Sequence, residues 1–127
     1  METVIVIGGG AAGIMAALTA AEKPGRRVIL LERQQRLGRK LLATGNGRCN
    51  LSNTGAAPEH YHGEQPGFEA AALEKFSAED TLNFFHGLGL VTVEEHGGRV
   101  YPLSNSANSV LDVLRFALEK AGVELRC

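Results

Sequence analysis

The chain has 127 residues, with a hydrophobic share of 44% and a charged share of 21%, which is typical of one globular domain. Its formal net charge of −1 gives no general attraction to nucleic acid or to an anionic membrane. No apolar run approaches the roughly 20 residues that cross a bilayer, and two widely spaced cysteines, Cys49 and Cys127, form no disulfide framework. We therefore expect a cytoplasmic protein with no nucleic-acid and no membrane partner.

Residues 1–32 have the pattern of a strand–helix–strand unit. Residues 3–7 are an unbroken apolar, β-branched run, which predicts a strand buried on both faces. A glycine-rich turn follows, and the alanine-rich residues 14–22 then favour a helix that Pro24-Gly25 ends. A second apolar run, residues 28–31, predicts the next strand, and the unit is just long enough for a parallel crossover.

Gly8, Gly10 and Gly13 form a G-x-G-x-x-G turn between the first strand and the helix. In such turns the first glycine permits the bend, the second lets a pyrophosphate approach the backbone, and the third lets the helix pack on the strand. Glu32 ends the second strand about 20 positions later, where a carboxylate accepts hydrogen bonds from an adenosine ribose and repels a 2′-phosphate. These features predict a dinucleotide site, and by themselves they do not separate FAD from NAD.

Two alternatives account for the same turn. One is a tight turn in an ordinary α/β protein, with Glu32 merely solvated. The other is a methyltransferase, which also has a glycine-rich first turn and an acid on its second strand. That motif normally carries an acid just before the first glycine, where this chain has Ile7.

The segment from residue 33 to residue 67 is rich in Gly, Asn, Ser and Arg and has no sustained period, so we predict a long functional loop. Residues 68–76 then favour a short helix, and residues 77–80 resemble a capping box that opens another helix. Residues 90–101 predict a hairpin that turns at His96-Gly97-Gly98. We expect the phenylalanines of this region, which fall at helical positions, to belong to the core: Phe68, Phe76, Phe84 and Phe85.

The last quarter of the chain predicts a helix and a strand. Ser106 is a good N-cap, and Gly122 ends the helix. Residues 123–127 begin another strand. The helix carries an apolar stripe at 3.6-residue spacing: Val110, Leu111, Leu114, Ala117 and Leu118.

Residues 38–53 have the sequence G-R-K-L-L-A-T-G-N-G-R-C-N-L-S-N. Following a glycine turn and an acid, this signature resembles the BaiN-type family of NAD(P)/FAD-dependent oxidoreductases, which includes aminoacetone-oxidase-like flavoproteins. The match extends to G-R-V-Y-P-L-S at residues 98–104, where relatives often carry Phe in place of Tyr101. The resemblance implies FAD as the cofactor. It also implies an α/β, Rossmann-like FAD/NAD(P)-binding domain with a doubly wound parallel sheet.

The resemblance further implies a three-part protein about three times as long, in which an inserted β-rich domain and a small helical domain interrupt the FAD domain. Residues 1–127 are then the N-terminal portion of an incomplete FAD domain. Within them we expect a βαβ unit at 1–32, a flavin loop at 33–67, helices and a hairpin at 68–121, and the start of the next strand at 123–127. We expect this portion to be inactive alone and poorly soluble or weak in binding FAD.

Roles in the loop also follow from the resemblance. Residues 38–40 should lie near the ribose and pyrophosphate, with Lys40 as a point charge for a phosphate. Arg48 or Asn50 should donate hydrogen bonds to flavin oxygens or stabilise negative charge on the reduced ring. No catalytic residue is assigned. The predicted FAD-binding residues are Gly8, Gly10, Ala11, Ala12, Gly13, Glu32, Arg33, Arg39, Lys40, Gly45, Asn46, Gly47, Arg48, Cys49 and Asn50.

Three further sets of residues have side chains capable of chemistry. Cys49 lacks a partner at the spacing of disulfide reductases, which favours a small buried hydrophobe over a catalytic thiol. His60 and His62 lack two further ligands, so no metal site is predicted. Tyr101 either lines a substrate pocket with Ser104 or is a half-buried strand residue.

The resulting hypothesis is an FAD-dependent oxidoreductase that transfers two electrons, as a hydride, between a small organic substrate and NAD(P)H or oxygen. Two substrate classes fit the resemblance: reduction of an activated carbon–carbon double bond, or oxidation of an amine by oxygen. The alternatives are a stand-alone nucleotide-binding module without turnover and an NAD-dependent dehydrogenase. The long loop after Glu32 disfavours the dehydrogenase, because an NAD site needs no such segment.

Overall fold

Two three-stranded sheets organise the chain, which a computed structural model describes over residues 1–127. The strands are β1 (Glu2–Ile7), β2 (Arg26–Leu31), β3 (Ser52–Asn53), β4 (Thr92–Glu94), β5 (Arg99–Pro102) and β6 (Glu124–Arg126). The helices are α1 (Ala11–Ala21), α2 (Arg39–Ala43), α3 (Ala70–Lys75), α4 (Ala78–Gly87) and α5 (Ala107–Lys120). Short 3-10 turns lie at Thr44–Gly47, Pro58–His60 and His96–Gly98. The structure contains no helix with the length and apolar character that crossing a bilayer requires.

The first sheet is parallel and has the order β1-β2-β6. Val4 pairs with Val28, and Ile29 pairs with Glu124, so the strand that begins after Gly122 adds to the far side of β2. Parallel strands joined by helices confirm the prediction of a Rossmann-like α/β fold with a parallel sheet.

The prediction that β1 is buried on both faces was wrong. Val4 and Val6 pack against the core, whereas Ile5 and Ile7 are 58% and 85% exposed. Side chains alternate between the faces of a strand, and β1 is an edge strand whose second face is left uncovered in this chain. An unbroken apolar run indicates two apolar faces, but the tertiary structure decides whether both are covered.

The core lies between the parallel sheet and two helices. Ile14 and Ala17 of α1 pack with Val28 and Leu30 of β2. The apolar stripe on α5 completes this core. Ser106 caps this helix by accepting the N–H of Asn108 and thereby fixes where the helix begins. The buried members of the stripe are Val110, Leu111, Leu114 and Leu118, while Ala117 is half-buried.

The second sheet is antiparallel, with the order β3-β5-β4. The hairpin of β4 and β5 is present as predicted, and β3, which comes from the segment 33–67, adds a strand to it. That segment also holds α2 and two 3-10 turns, so it contains more regular structure than its composition indicates.

The helix α4 begins at a complete capping box. Ser77 Oγ accepts the N–H of Asp80, and the Asp80 carboxylate accepts the N–H of Ser77 at 2.9 Å. Phe85 of this helix is buried, but the core prediction was wrong for Phe68 and Phe76, which are 81% and 43% exposed. Helical periodicity alone does not distinguish a core face from a face that borders a cleft or solvent.

Candidate dinucleotide site

The glycine turn joins β1 to α1 at the carboxyl end of the parallel sheet. Gly8 has φ of +100°, and its N–H donates to the carbonyl of Leu31 at the end of β2, at 2.7 Å. A Cβ on Gly13 would lie 1.7 Å from the Gly8 carbonyl oxygen, so α1 can approach the turn only because Gly13 has no side chain. The strand–turn–helix geometry that the sequence predicts is therefore present.

Gly9 is a structural residue of this site that the sequence analysis missed. A Cβ on Gly9 would lie 2.2 Å from Leu37 Cδ2 and 3.1 Å from the Glu32 carboxylate. Its carbonyl accepts the N–H of Gly38 at 2.8 Å, which joins the turn to the start of α2. The G-x-G-x-x-G motif leaves this position variable. The run of three consecutive glycines was the one sign in the sequence that it also needs a glycine.

Glu32 is held by the backbone on both sides. One carboxylate oxygen accepts the N–H of Gly9 and the other accepts the N–H of Gln34, each at 2.7 Å. The N–H groups of Gln34 and Gly9 hold the pKa of the Glu32 carboxyl below its usual value of 4.5. An ionised carboxylate has about four acceptor positions, so Glu32 retains capacity for the hydroxyls of a ribose while it fixes the turn.

A polar cleft of about 360 Å³ lies beside this carboxylate. Arg39 at its edge is exposed, with a guanidinium nitrogen 3.4 Å from Gln34 Oε1. Arg33 is exposed and lies outside the lining of this cleft. The lining residues are Gly9, Gly10, Glu32, Gln34, Gly38, Arg39, Lys40 and Ala43.

A larger, mostly apolar cleft of about 490 Å³ also borders the glycine turn, at Gly10, Ala11 and Ala12. Met15 of α1, Phe85 of α4 and Val110 of α5 contribute apolar walls, and Cys49 and Asn50 line it from the loop. The two clefts share Gly10 and Lys40. We call these two neighbouring clefts, one polar and one apolar, the trough, and the shared Gly10 its junction.

The junction carries unpaired backbone donors. The first intrahelical bond of α1 joins Ile14 N–H to Gly10 O, so the N–H groups of Ala11, Ala12 and Gly13 precede it. No acid occupies the first turn, and the positive end of the helix dipole is worth about 0.3–1 kcal/mol to an anion placed there. The exposed Lys40 lies in the lining at the same point. This arrangement suits a pyrophosphate.

The loop after α2 has an unusual backbone. Gly45, Asn46, Gly47 and Cys49 have φ between +54° and +84°, and only Arg48 in this run is right-handed, with φ of −94°. The left-handed region costs most non-glycine residues roughly 1–2 kcal/mol each. Two of these residues, Asn46 and Cys49, are not glycine, so contacts elsewhere must stabilise the loop.

Arg48 lines neither cleft. Its Nη2 lies 2.9 and 2.6 Å from the two carboxylate oxygens of Glu95, and its Nε donates to Oδ1 of Asn105. The guanidinium carbon lies 3.9 Å from the centroid of the Tyr101 ring, which is buried beneath it. Sequence reasoning missed Glu95 and Asn105, because no motif links them to the loop.

Two further loop residues line the apolar cleft. Cys49 is 5% exposed, and burial raises the pKa of its thiol above the usual value of 9.0, which suits a small buried hydrophobe. Asn50 is exposed and borders the same cleft, whereas Gly45, Asn46 and Gly47 lie outside both linings.

No group of three or more His, Cys, Asp or Glu side chains is placed to hold a metal ion.

Comparison with known proteins supports this fold. Residues 2–127 match the family model of the HI0933-like protein Rossmann domain. Among solved structures, 98% of the chain superposes on THI4 of Thermovibrio ammonificans, covering 37% of that chain (TM-score 0.59, 18% identity). It also superposes over 98% of its length on the open conformation of a flavocytochrome c3 fumarate reductase, covering 26% of that chain (TM-score 0.62, 24% identity).

Curated relatives are similar over nearly the whole chain. It is 45% identical over 126 residues to 3-dehydro-bile acid delta(4,6)-reductase of Clostridium scindens, which is 98% of this chain and 31% of that protein. It is 34% identical over 122 residues to ribosomal RNA dihydrouridine synthase of Escherichia coli, which is 96% of this chain and 30% of that protein. The chain thus spans about a third of the length of these relatives.

Proposed function

Since the chain belongs to the HI0933-like Rossmann domain family, we propose that it forms the FAD-binding part of an oxidoreductase. The observation that carries this proposal is the trough: a polar cleft at Glu32 and an apolar cleft at Cys49 and Asn50 meet at Gly10. A dinucleotide with one polar nucleoside end and one large, flat, apolar ring requires those two environments on either side of a pyrophosphate site.

The residues present fit FAD on a structural criterion. A Cβ on Gly10 would meet no atom within 4 Å, so the absence of a side chain there serves no packing purpose and leaves the space to a ligand. We assign the adenosine ribose to Glu32 and the pyrophosphate to the first N–H groups of α1 and to Lys40. The isoalloxazine ring is assigned to the apolar cleft, where Met15, Phe85 and Leu51 exclude water.

FAD, when bound, supplies two-electron transfer, and the protein orients it. The residues of this chain bind and position the cofactor, and its ionised Glu32 disfavours a 2′-phosphate at the adenosine end. A plain NAD site needs no second, apolar cleft of this size, so FAD is the better fit to the trough.

For the substrate, we propose reduction of a carbon–carbon double bond activated by a neighbouring carbonyl, with NAD(P)H as the electron donor. Two relatives support this choice over oxidation of an amine, because a delta(4,6)-reductase and a dihydrouridine synthase are both named for adding hydrogen across such a bond. The higher identity, 45% against 34%, favours a small polycyclic enone over a base in RNA.

The cofactor is tested by titrating the complete protein of the reading frame that contains this chain with FAD and recording the visible absorption spectrum of the bound form. Glu32→Gln removes the charge and places an amide donor beside the N–H of Gly9 or Gln34, so we expect FAD affinity to fall by about tenfold or more. Glu22→Gln is the matched control, because Glu22 is an exposed carboxylate at the opposite end of α1. Equal affinity of both variants, or tighter binding of NAD than of FAD, would overturn the assignment.

The substrate class is tested in the complete protein of the reading frame that contains this chain. Anaerobic oxidation of NAD(P)H is followed with a steroid dienone, with uridine-containing RNA and with a primary amine plus oxygen. We expect turnover with the dienone. Turnover with the RNA alone would retain the reaction and reassign the substrate, whereas turnover only with the amine would refute the proposed reduction.

A further inference from the structure

The polar contacts of Arg48 tie the loop to the second sheet. Glu95 follows β4, Tyr101 lies in β5, and Asn105 lies in the turn before α5. All three converge on one guanidinium, through two contacts to the carboxylate, one hydrogen bond to the amide and stacking on the ring. Arg48 is the only residue of the run 45–49 whose side chain hydrogen-bonds to or stacks on these three groups, whereas Cys49 at the end of the run is buried in the core. Arg48 is therefore the polar anchor of this run.

The backbone on both sides of Arg48 needs an anchor. Non-glycine residues in the left-handed region persist only where the surrounding structure fixes them, and Asn46 and Cys49, on either side of Arg48, are in that region. A Cβ on Gly45 would lie 2.8 Å from the Asn50 N and 3.4 Å from a ring carbon of Tyr101, so the loop is folded tightly onto the ring that Arg48 covers. The same fold places Cys49 and Asn50 in the lining of the apolar cleft.

We infer that Arg48 is a positioning residue that holds the loop 44–51 in its cofactor-binding conformation, and that it does not itself contact the cofactor. The identity of the ligand in this inference rests on the proposed function. The anchoring of the loop does not, because it is a property of the chain without cofactor. Loss of the anchor should therefore loosen the loop first and weaken FAD binding as a consequence.

The test compares five variants, made in the complete protein of the reading frame that contains this chain: three single variants described here, the Arg48→Met/Glu95→Gln double variant, and Arg48→Lys. Arg48→Met keeps an apolar stem over Tyr101 and removes the guanidinium, and Glu95→Gln removes the charge of its partner. Arg27→Met is the matched control, since Arg27 also donates twice to one carboxylate, that of Glu124, on the parallel sheet. Amide hydrogen exchange is measured without FAD over residues 44–51, where the N–H groups of Arg48, Cys49 and Leu51 donate to backbone carbonyls, and FAD affinity is measured separately.

We expect exchange of residues 44–51 to become about tenfold faster in both loop variants and to stay unchanged in Arg27→Met. The dissociation constant of FAD should rise about tenfold in Arg48→Met and in Glu95→Gln. The double variant should be no weaker than Arg48→Met, because the contact that Glu95→Gln weakens is already absent there. Exchange of residues 107–120 serves as the internal reference, since it changes only if the whole domain opens. Arg48→Lys, which keeps a charge for Glu95 without the planar fork, should be intermediate.

Two results would overturn the inference. Unchanged loop exchange in Arg48→Met would show that the guanidinium anchors nothing. Faster loop exchange in both loop variants, with FAD binding weakened only in Arg48→Met, would make Arg48 a direct cofactor contact. If the unsubstituted chain binds no FAD while loop exchange responds as expected, the proposed function fails and the anchoring role of Arg48 stands.

Discussion

Gly13 and Gly10 belong to one motif but should fail in different ways when each is replaced by alanine. In Gly13→Ala the new Cβ would lie 1.7 Å from the Gly8 carbonyl oxygen, a backbone atom that no rotamer change can move. The helix or the turn must shift by roughly 1.3 Å before the separation reaches even 3.0 Å. Overpacking of this kind costs about 3 kcal/mol or more, out of an unfolding free energy on the order of 10 kcal/mol.

Gly10→Ala is the matched counterpart. Gly10 has φ of −81°, which alanine adopts freely, and its new Cβ would meet no atom within 4 Å. The loss of a favourable N-cap residue and the smaller entropy of the unfolded chain nearly offset each other, so stability should change by less than about 1 kcal/mol. The methyl group would stand in the junction of the two clefts, so FAD affinity should fall by about tenfold, or about 1.4 kcal/mol.

The assay is thermal unfolding of the complete protein without cofactor, followed by an FAD titration of the variant that remains folded. We expect Gly13→Ala to lower Tm by roughly 10 °C and Gly10→Ala to change it little. Equal loss of stability in the two variants would refute the division of the motif into a packing glycine and a ligand glycine. If Gly10→Ala binds FAD as tightly as the unsubstituted protein, the assignment of the pyrophosphate to this junction is wrong.

Three further predictions concern titratable groups. Because backbone N–H groups lower the pKa of Glu32 in the folded state, its contribution to stability is present above pH 4.5 and is lost as the pH falls through that lowered pKa. A profile of Tm against pH for Glu32→Gln should not show this loss. Arg27 and Arg126 lower the pKa of Glu124 to about 2, so the attachment of β6 should weaken between pH 4.5 and about 2, and an unchanged amide exchange of β6 over that range would contradict this. Iodoacetamide at pH 8 should modify the exposed Cys127 much faster than the buried Cys49, whose thiol pKa is raised, and equal rates in mass spectrometry would refute the burial.

Signals within a few residues of one another predicted most of the local structure. The capping box at Ser77, the N-cap at Ser106 and the hairpin turn at Gly97 each depend on neighbours no more than a few positions away, and all three are present. The glycine turn and Glu32 were also recoverable, because a parallel crossover brings the ends of two consecutive strands to one edge of a sheet. Glu32 does more than the motif indicates, since it also accepts the N–H of Gly9.

The direction of Arg48 was not recoverable from the sequence. A loop arginine in a cofactor-associated signature suggests a contact with the ligand, but Glu95 lies 47 positions away and Asn105 lies 57 positions away. Nothing local marks a half-exposed glutamate after a strand as the partner of a distant guanidinium. The approach of Gly38 to Leu111 was missed for the same reason, because it depends on where α5 packs.

The sequence by itself determined the βαβ unit, the turn that bends at Gly8, the acid at the end of β2 and the boundaries of the capped helices, because backbone propensities, capping and glycine conformations act over a few residues. Only the tertiary structure decided that β1 leaves Ile5 and Ile7 exposed, that two clefts share Gly10 in their linings, and that Arg48 binds the hairpin. Those features depend on which surfaces, distant in the sequence, come into contact. An apolar or charged side chain can pair with many partners at similar interaction free energy, so the complete fold decides which pairing forms.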